Sequence, residues 1–204
     1  MEKTIFLFRR KASRSRDDFK QHYIHAHAPL GARLTRCLLG YTVNIVATEG
    51  GPDAVTEHWL PKATDLLTPT VAYATPEDFQ QVVADDRTLF DGFGLYVVDR
   101  ETYVVPGAPL DGPLGQATPE AKIVWFYRDA DQAPPPPAGA RRVVDNRVRC
   151  KLVFTEDGAR AEVAPEFALI RMAWAPDLAQ LGAAAHDALV VEEHRMLTPP
   201  IWDA

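Results

Sequence analysis

A proline stands in the middle of a long amphipathic segment, and that residue limits what the N-terminal part of the chain can become. Residues 3–46 read KTIFLFRRKASRSRDDFKQHYIHAHAPLGARLTRCLLGYTVNIV. The stretch opens with a strand-like run over residues 4–8, passes through a basic turn, and closes with a second strand-like run over residues 41–46. Between them, Ser13 or Ser15 supplies a helix cap, and Asp17 and Asp18 suit the positive end of the helix dipole. Phe19, Tyr23, Ala26, Leu30, Leu34 and Leu38 recur at three- and four-residue steps, which predicts one buried stripe. Pro29 removes a helical hydrogen bond and disfavours helical geometry at Ala28, so a break is expected between His27 and Pro29.

Three histidines crowd this segment. His22 and His25 are three residues apart and share a face, while His27 follows Tyr23 by four and falls beside the buried stripe. Taken singly, a histidine is more often a hydrogen-bonded structural group than a catalytic one. The clustering against apolar neighbours singles out His27, which the break is expected to turn toward an apolar chamber. The spacing H-x-x-H-x-H is no recognised ligand pattern, and His22 and His27 point apart on a helix, so no metal site is expected.

Length and charge narrow the rest. A chain of 204 residues fits one large domain or two small ones. The net charge of -6 argues against nucleic acid as a partner. Arg9, Arg10, Lys11, Arg14 and Arg16 cluster in the first turn; a solvated loop is the simpler reading, and a gate for an anionic substrate is the other. Cys37 and Cys150 form neither a metal spacing nor a disulfide framework. The N-terminus shows no apolar signal region and no run is long enough to cross a membrane, so a cytoplasmic setting without membrane contact is expected.

Further along, residues 54–60 read as a third strand, a hairpin partner of the second. Thr75 caps a helix with Pro76 at its first position, expected to fade near Asp85 into a polar connection over residues 86–91. Residues 95–105 form a fourth strand. Strand, helix, strand, strand, helix, strand is the ferredoxin-like split unit. After a Pro- and Gly-rich linker the pattern begins again: residues 122–128 echo 3–9, 143–148 echo 41–46 with Asn146 opposite Asn44, 167–174 echo the strand ending at Trp59, 176–187 echo 76–86, and 188–197 echo 95–104. Pro134 to Pro137 forbid a helix where the first copy has its histidines. The expected organisation is a histidine-bearing half over residues 1–106, a linker over 107–120, and a degenerate half over 121–204. The expected fold is α+β, with ferredoxin-like βαββαβ repeats whose two antiparallel sheets pack as an α+β barrel. The barrel forms within one chain or between two, and a homodimer stays open.

The first half resembles the EthD family, a branch of the dimeric α+β barrel superfamily. KTIFLFRRK at residues 3–11, DDFKQHYIHAHAPL at 17–30, GYTVNIV at 40–46, HWL at 58–60, DDRTLFD at 85–91 and VVDRETYVV at 97–105 carry the resemblance. Its most specific part is Phe19 followed by His27-Ala28-Pro29-Leu30. It covers residues 3–105; the second half matches loosely and departs by lacking the first helix. The resemblance implies a family that holds an ether-degradation protein of obscure chemistry and polyketide-tailoring decarboxylases and dehydratases that use no cofactor. The wider superfamily adds cofactor-independent monooxygenases, muconolactone isomerase-like enzymes and haem-binding peroxidases, so fold alone does not fix the reaction. The resemblance makes His27 the acid–base residue and matches Tyr41 to the family's tyrosine.

These readings converge on a lyase without cofactor, a dehydratase or decarboxylase in a catabolic setting, acting on a hydrophobic carbonyl or phenolic small molecule. The alternatives are a cofactor-independent monooxygenase and a non-catalytic accessory protein that binds a small molecule. His27 and Tyr41 are the first catalytic candidates, with His22 and His25 beside them. Tyr23, Tyr41 or Asn44 is expected to hold the enolate oxygen, and Tyr23, Asn44, His58, Trp59 and Phe8 to contact substrate. Core packing is the simpler reading for Phe6, Phe8 and Trp59 taken singly. Glu57, Asp91, Asp99 and Glu101 have no assigned role. The chamber beside His27 is expected to be shared by the two sheet halves.

Overall fold

The computed structural model describes residues 1–107, 112–154, 160–181 and 188–198. Strand β1 (Glu2–Arg10) sends Lys3, Ile5 and Leu7 to one face and Thr4, Phe6 and Phe8 to the other. Helix α1 (Arg16–His22) starts at Ser15, whose hydroxyl accepts from the Asp18 amide at 3.1 Å. The expected break is real and takes a particular form. Residues Tyr23–His27 make one π-helical turn, closed by the Ala28 amide on the Tyr23 carbonyl, and α2 (Ala28–Leu34) resumes with Pro29 in its first turn. A π turn inserts one extra residue and so rotates everything after it. The buried stripe therefore does not continue through Ala26, which is exposed; it passes to Ile24, His27, Ala28 and Gly31.

Strands β2 (Gly40–Val46) and β3 (Ala54–Leu60) follow as a hairpin. A short α3 (Pro69–Ala72) precedes α4 (Pro76–Leu89), which begins at a Thr75–Asp78 capping box. Contrary to expectation α4 does not fade at Asp85. It runs to Leu89, held by buried Val82 and Leu89, and β4 (Phe90–Val105) starts at once. The polar connection expected over residues 86–91 is thus helix and strand.

The second half supplies β5 (Ala121–Tyr127), β6 (Arg142–Phe154), β7 (Arg160–Val163), β8 (Leu169–Ala175) and β9 (Ala188–Leu197). β6 is twice as long as expected and β7 was not foreseen. A three-residue turn of 3₁₀ helix, Ala130–Gln132, precedes the proline run, and no α-helix is described in this half. Of the echo expected over residues 176–187, Leu178–Leu181 forms a 3₁₀ turn and 182–187 lie outside the described residues.

Eight strands close into one antiparallel barrel in the order β4-β1-β3-β2-β9-β5-β8-β6, with β6 returning to β4 and β7 attached to the far end of β6. This is one continuous sheet, not two sheets pressed face to face. The barrel is complete within a single chain. Each half has the same internal order: β4-β1-β3-β2 in the first and β9-β5-β8-β6 in the second. Ile5, Val46, Val55, Val98, Val124, Val144, Met172 and Val191 come from all eight strands and fill the barrel. The first half's outer face packs under α1 and α2 through Phe6, Phe8, Phe19 and Tyr23.

One end of the barrel interior is ionic. The Lys3 ammonium lies 2.8 Å from Glu57 and 2.7 Å from Glu101, and that of Lys122 lies 2.8 Å from Glu57 and 2.7 Å from Glu193. Each lysine also sits 4.4 Å above a tryptophan, Trp59 or Trp174. Glu57 joins the two sets. Burial disfavours its charge, but Lys122 and Lys3 outweigh burial and hold it well below the usual carboxylate range. Burial likewise opposes Lys3, and the Glu101 and Glu57 charges overcome it and raise its pKa. Removing one partner of such a sealed pair leaves an uncompensated charge, at a cost of about 3–5 kcal/mol. Lys122→Ala should lower unfolding free energy by that order in urea titrations, and a loss below about 1 kcal/mol, the range of an exposed pair, would show that the array does not hold the barrel together.

Candidate functional site

The π turn, α2, α3, α4 and the outer face of the first-half sheet line a cavity of about 460 Å³ that is open on one side. Its walls are largely aromatic. Phe6 and Phe8 of β1 stack with centroids 5.2 Å apart, and Phe8 stacks on Phe90 at 4.1 Å. Tyr41 of β2 lies over His58 of β3 at 4.7 Å. Phe93 and Phe154 sit at the mouth, both about half exposed, with rings edge to face at 6.1 Å. The chamber lies between sheet and helices rather than inside the barrel. The expectation of a space shared by both halves is therefore corrected: the barrel interior is filled by valines and the ionic array, and Phe154 is the second half's contribution to the lining.

His27 forms part of the wall and is 6% exposed. Its Nδ1 lies 2.8 Å from Asp85 Oδ2, and His22 Nε2 lies 2.8 Å from Asp85 Oδ1. An ionised carboxylate only accepts, so both nitrogens carry hydrogen and donate. That leaves His27 Nε2 as the nitrogen available for proton transfer, 3.4 Å from Asp86 Oδ1. The π turn makes this possible by bringing His27 around to α4, where Asp85 and Asp86 stand. The hydrogen bond from His27 lowers the Asp85 pKa; burial opposes it and the bond from His22 adds to it. Burial raises the Asp86 pKa, with the Asp85 charge adding and His27 opposing. Together these side chains can accept a proton at one point of an apolar enclosure and return it.

The remaining candidates divide. His22 reaches the site only through Asp85, and His25 is exposed on the opposite side of the π turn. Tyr23 lines the cavity with its hydroxyl 2.8 Å from Thr56 Oγ1. Burial raises Tyr23, and the hydroxyls of Thr56 and Tyr41 pull the other way. Burial and then the neighbouring Tyr23 hold Tyr41 well above the usual phenol value, so it stays protonated. Phe8 and His58 also line the cavity. Asn44 and Trp59 do not: both point into the barrel, where Asn44 donates to the Val55 carbonyl and to Glu57 and Trp59 donates to Glu101. Glu57 and Glu101 belong to the same interior array, while Asp91 is exposed near Lys11 and Asp99 is exposed. The basic cluster serves as ties between loops: Arg10 pairs with Asp53, Arg14 with Asp18, and Arg16 donates to the Thr48 carbonyl. No group of His, Cys, Asp and Glu among the described residues has the geometry to hold a metal ion.

Asp85 and Asp86 were missed. Their signal was the need itself: buried imidazoles require acceptors, and two adjacent carboxylates follow Val82 by three and four residues on a capped helix.

No protein-family profile matches the sequence, and no curated protein matches it. Among solved structures, an anthrone oxidase-like protein is similar over 96% of this chain and 93% of its own, with a TM-score of 0.56 and 9% identity. A protein described as a chlorite dismutase aligns over 95% of each chain with a TM-score of 0.43 and 9% identity. The likeness to the first of these is one of fold alone, an antiparallel barrel with helices against part of its outer face.

The folded-state pKa of Asp85 lies below its value in an unfolded chain. Its ionised form therefore stabilises the fold above the ordinary carboxylate range, and that contribution disappears as pH falls through the folded-state value. Asp85→Asn should be less stable than the parent at neutral pH, with the gap narrowing on acidification below the ordinary carboxylate range. Urea midpoints across a pH series test this; a gap that stays constant into acid contradicts it.

Proposed function

We propose that this chain is an enzyme that works by acid–base chemistry on a hydrophobic carbonyl or phenolic small molecule, and that it is a dehydratase or decarboxylase. The observation that carries the reading is His27: the side chain lines an aromatic cavity, its Nδ1 is fixed by Asp85, and its Nε2 lies 3.4 Å from Asp86. In a dehydration, Nε2 takes the proton from the carbon next to the carbonyl. The C–H electron pair moves into the carbonyl and forms an enolate. The enolate collapses, the bond to the hydroxyl on the adjoining carbon breaks, and His27 returns the proton so that water departs. Asp85 keeps the ring in the tautomer this needs. The aromatic walls suit a flat, apolar substrate and exclude water. The family resemblance supports the same assignment of His27. The repeated strand order and the matched lysine–tryptophan–glutamate sets support reading the chain as two copies of one unit, the second without its helix.

A second reading is oxygenation of the same carbanion. A fold similar to that of a protein described as anthrone oxidase-like favours it, and the deprotonation written above would supply the carbanion it needs.

His27→Ala should lower kcat about 10²–10⁴-fold, the range for general acid–base catalysis, with an unchanged circular-dichroism spectrum. An undiminished rate with intact fold removes His27 from the chemistry. Oxygen consumption in step with turnover would replace the lyase by the oxygenase.

A further inference from the structure

Deprotonation beside a carbonyl places negative charge on the substrate's oxygen, and the reading above supplies a base but no donor for that oxygen. The groups expected to provide one are committed elsewhere. Asn44 lies inside the barrel, and Tyr23 is bonded to Thr56 with the Tyr41 hydroxyl acting on it as well. His58, a polar side chain in the cavity wall, has no hydrogen-bond partner among the described residues. His58 projects from β3, stacked on Tyr41 at 4.7 Å and perpendicular to the Phe6 ring at 5.2 Å. It is 7% exposed, and neither of its ring nitrogens has a hydrogen bond among the described residues.

The state of that ring follows from its surroundings. Burial, with the nearby His27 adding to it and Glu57 opposing, pushes its pKa down to about 3. It is therefore neutral at physiological pH, with one N–H and one bare lone pair. A sealed N–H without an acceptor is rarer and costlier than an unused lone pair. Nδ1 is the sealed nitrogen. The hydrogen thus belongs on Nε2, where a ligand in the cavity can accept it. A neutral donor also avoids repelling His27 while that ring carries a proton.

We propose that His58 is the hydrogen-bond donor that receives the developing oxyanion, so that the cavity takes a flat aromatic ketone or phenol with its oxygen on the β3 floor and its reacting carbon toward His27. The assignment rests on the acid–base reading of the site and adds the group that reading lacks. It also gives the bound molecule an orientation, oxygen toward the sheet and carbon toward the helices.

The test uses 4-nitrophenol, whose absorbance distinguishes phenol from phenolate, bound to the full chain. His58→Phe keeps a flat ring for stacking and removes the donor. It should lower the ratio of phenolate to phenol affinity at least about tenfold, the low end for a hydrogen bond to a charged group. His58→Gln should restore part of that ratio, which a purely structural role would not produce. In the parent protein, the His58 Nε2 proton should move downfield in the NMR spectrum when 4-nitrophenol binds, a readout that does not depend on a variant folding. An unchanged phenolate preference in His58→Phe, or an unmoved Nε2 proton, overturns the role of His58 and leaves that of His27 standing. Failure of the parent to bind 4-nitrophenol at all overturns both.

Discussion

A single carboxylate between two imidazoles governs how the helices lie over this barrel. Asp85 on α4 accepts from His22 at the end of α1 and from His27 at the end of the π turn. A regular helix would place those two histidines on different faces, because five residues advance it by well over one turn. The wide π turn changes that spacing, and α2 begins directly after it at Ala28, with Pro29, which offers no amide hydrogen, in its first turn. The two imidazoles can then converge on one acceptor. That convergence pins the first helical layer to α4, and the two together roof the cavity over Phe6, Phe8, Tyr41 and His58.

Beneath the roof, the sheet has a different source of order. β2 and β3 are buried at every position, because one face meets the helices and the other meets the barrel core. Within the barrel the halves join through Glu57, shared by Lys3 and Lys122. The corresponding position in the second half, two residues before Trp174, is Met172, so the bridge is made from one side only. A carboxylate and two ammonium groups sealed from water require each other, which penalises any register that separates them. This array lies on the opposite face of the same strands that carry the site. Val55, Glu57 and Trp59 look inward while Thr56 and His58 look toward the helices, so the interior pairing fixes the height at which Tyr41 and His58 meet the cavity.

Much of this was legible in the sequence, for physical reasons that also mark its limits. β3 and β9 have the expected bounds, since β-branched and aromatic runs between turn residues leave little choice. Ser15 and Thr75 cap the helices as their chemistry predicts. The break before Pro29 was visible, but its π form was not, and so the stripe through Ala26 was drawn one residue out of phase. Alternation identifies two faces of a strand without saying which one lies inside when both are buried. That is why Asn44 and Trp59 were assigned to the cavity instead of to the barrel. Lysines 3 and 122 stood at matching positions in the echo, yet lysine is so rarely sealed away that the pattern alone did not announce an interior ion array. Asp85 and Asp86 were lost for a simpler reason: polar residues after a helical run read as a loop unless their partners are known.

The fold leaves the reaction open, and the side chains decide it. The central claim is that Asp85 holds His27 as the Nδ1–H tautomer, with the opposite nitrogen, beside Asp86, left to exchange a proton. Nitrogen-15 NMR of the histidine rings at neutral pH measures this directly. A His27 Nδ1 proton far downfield, absent in Asp85→Asn, is the predicted result. An Nε2–H tautomer, or an Nδ1 proton exchanging freely with water and indifferent to Asp85, would contradict it.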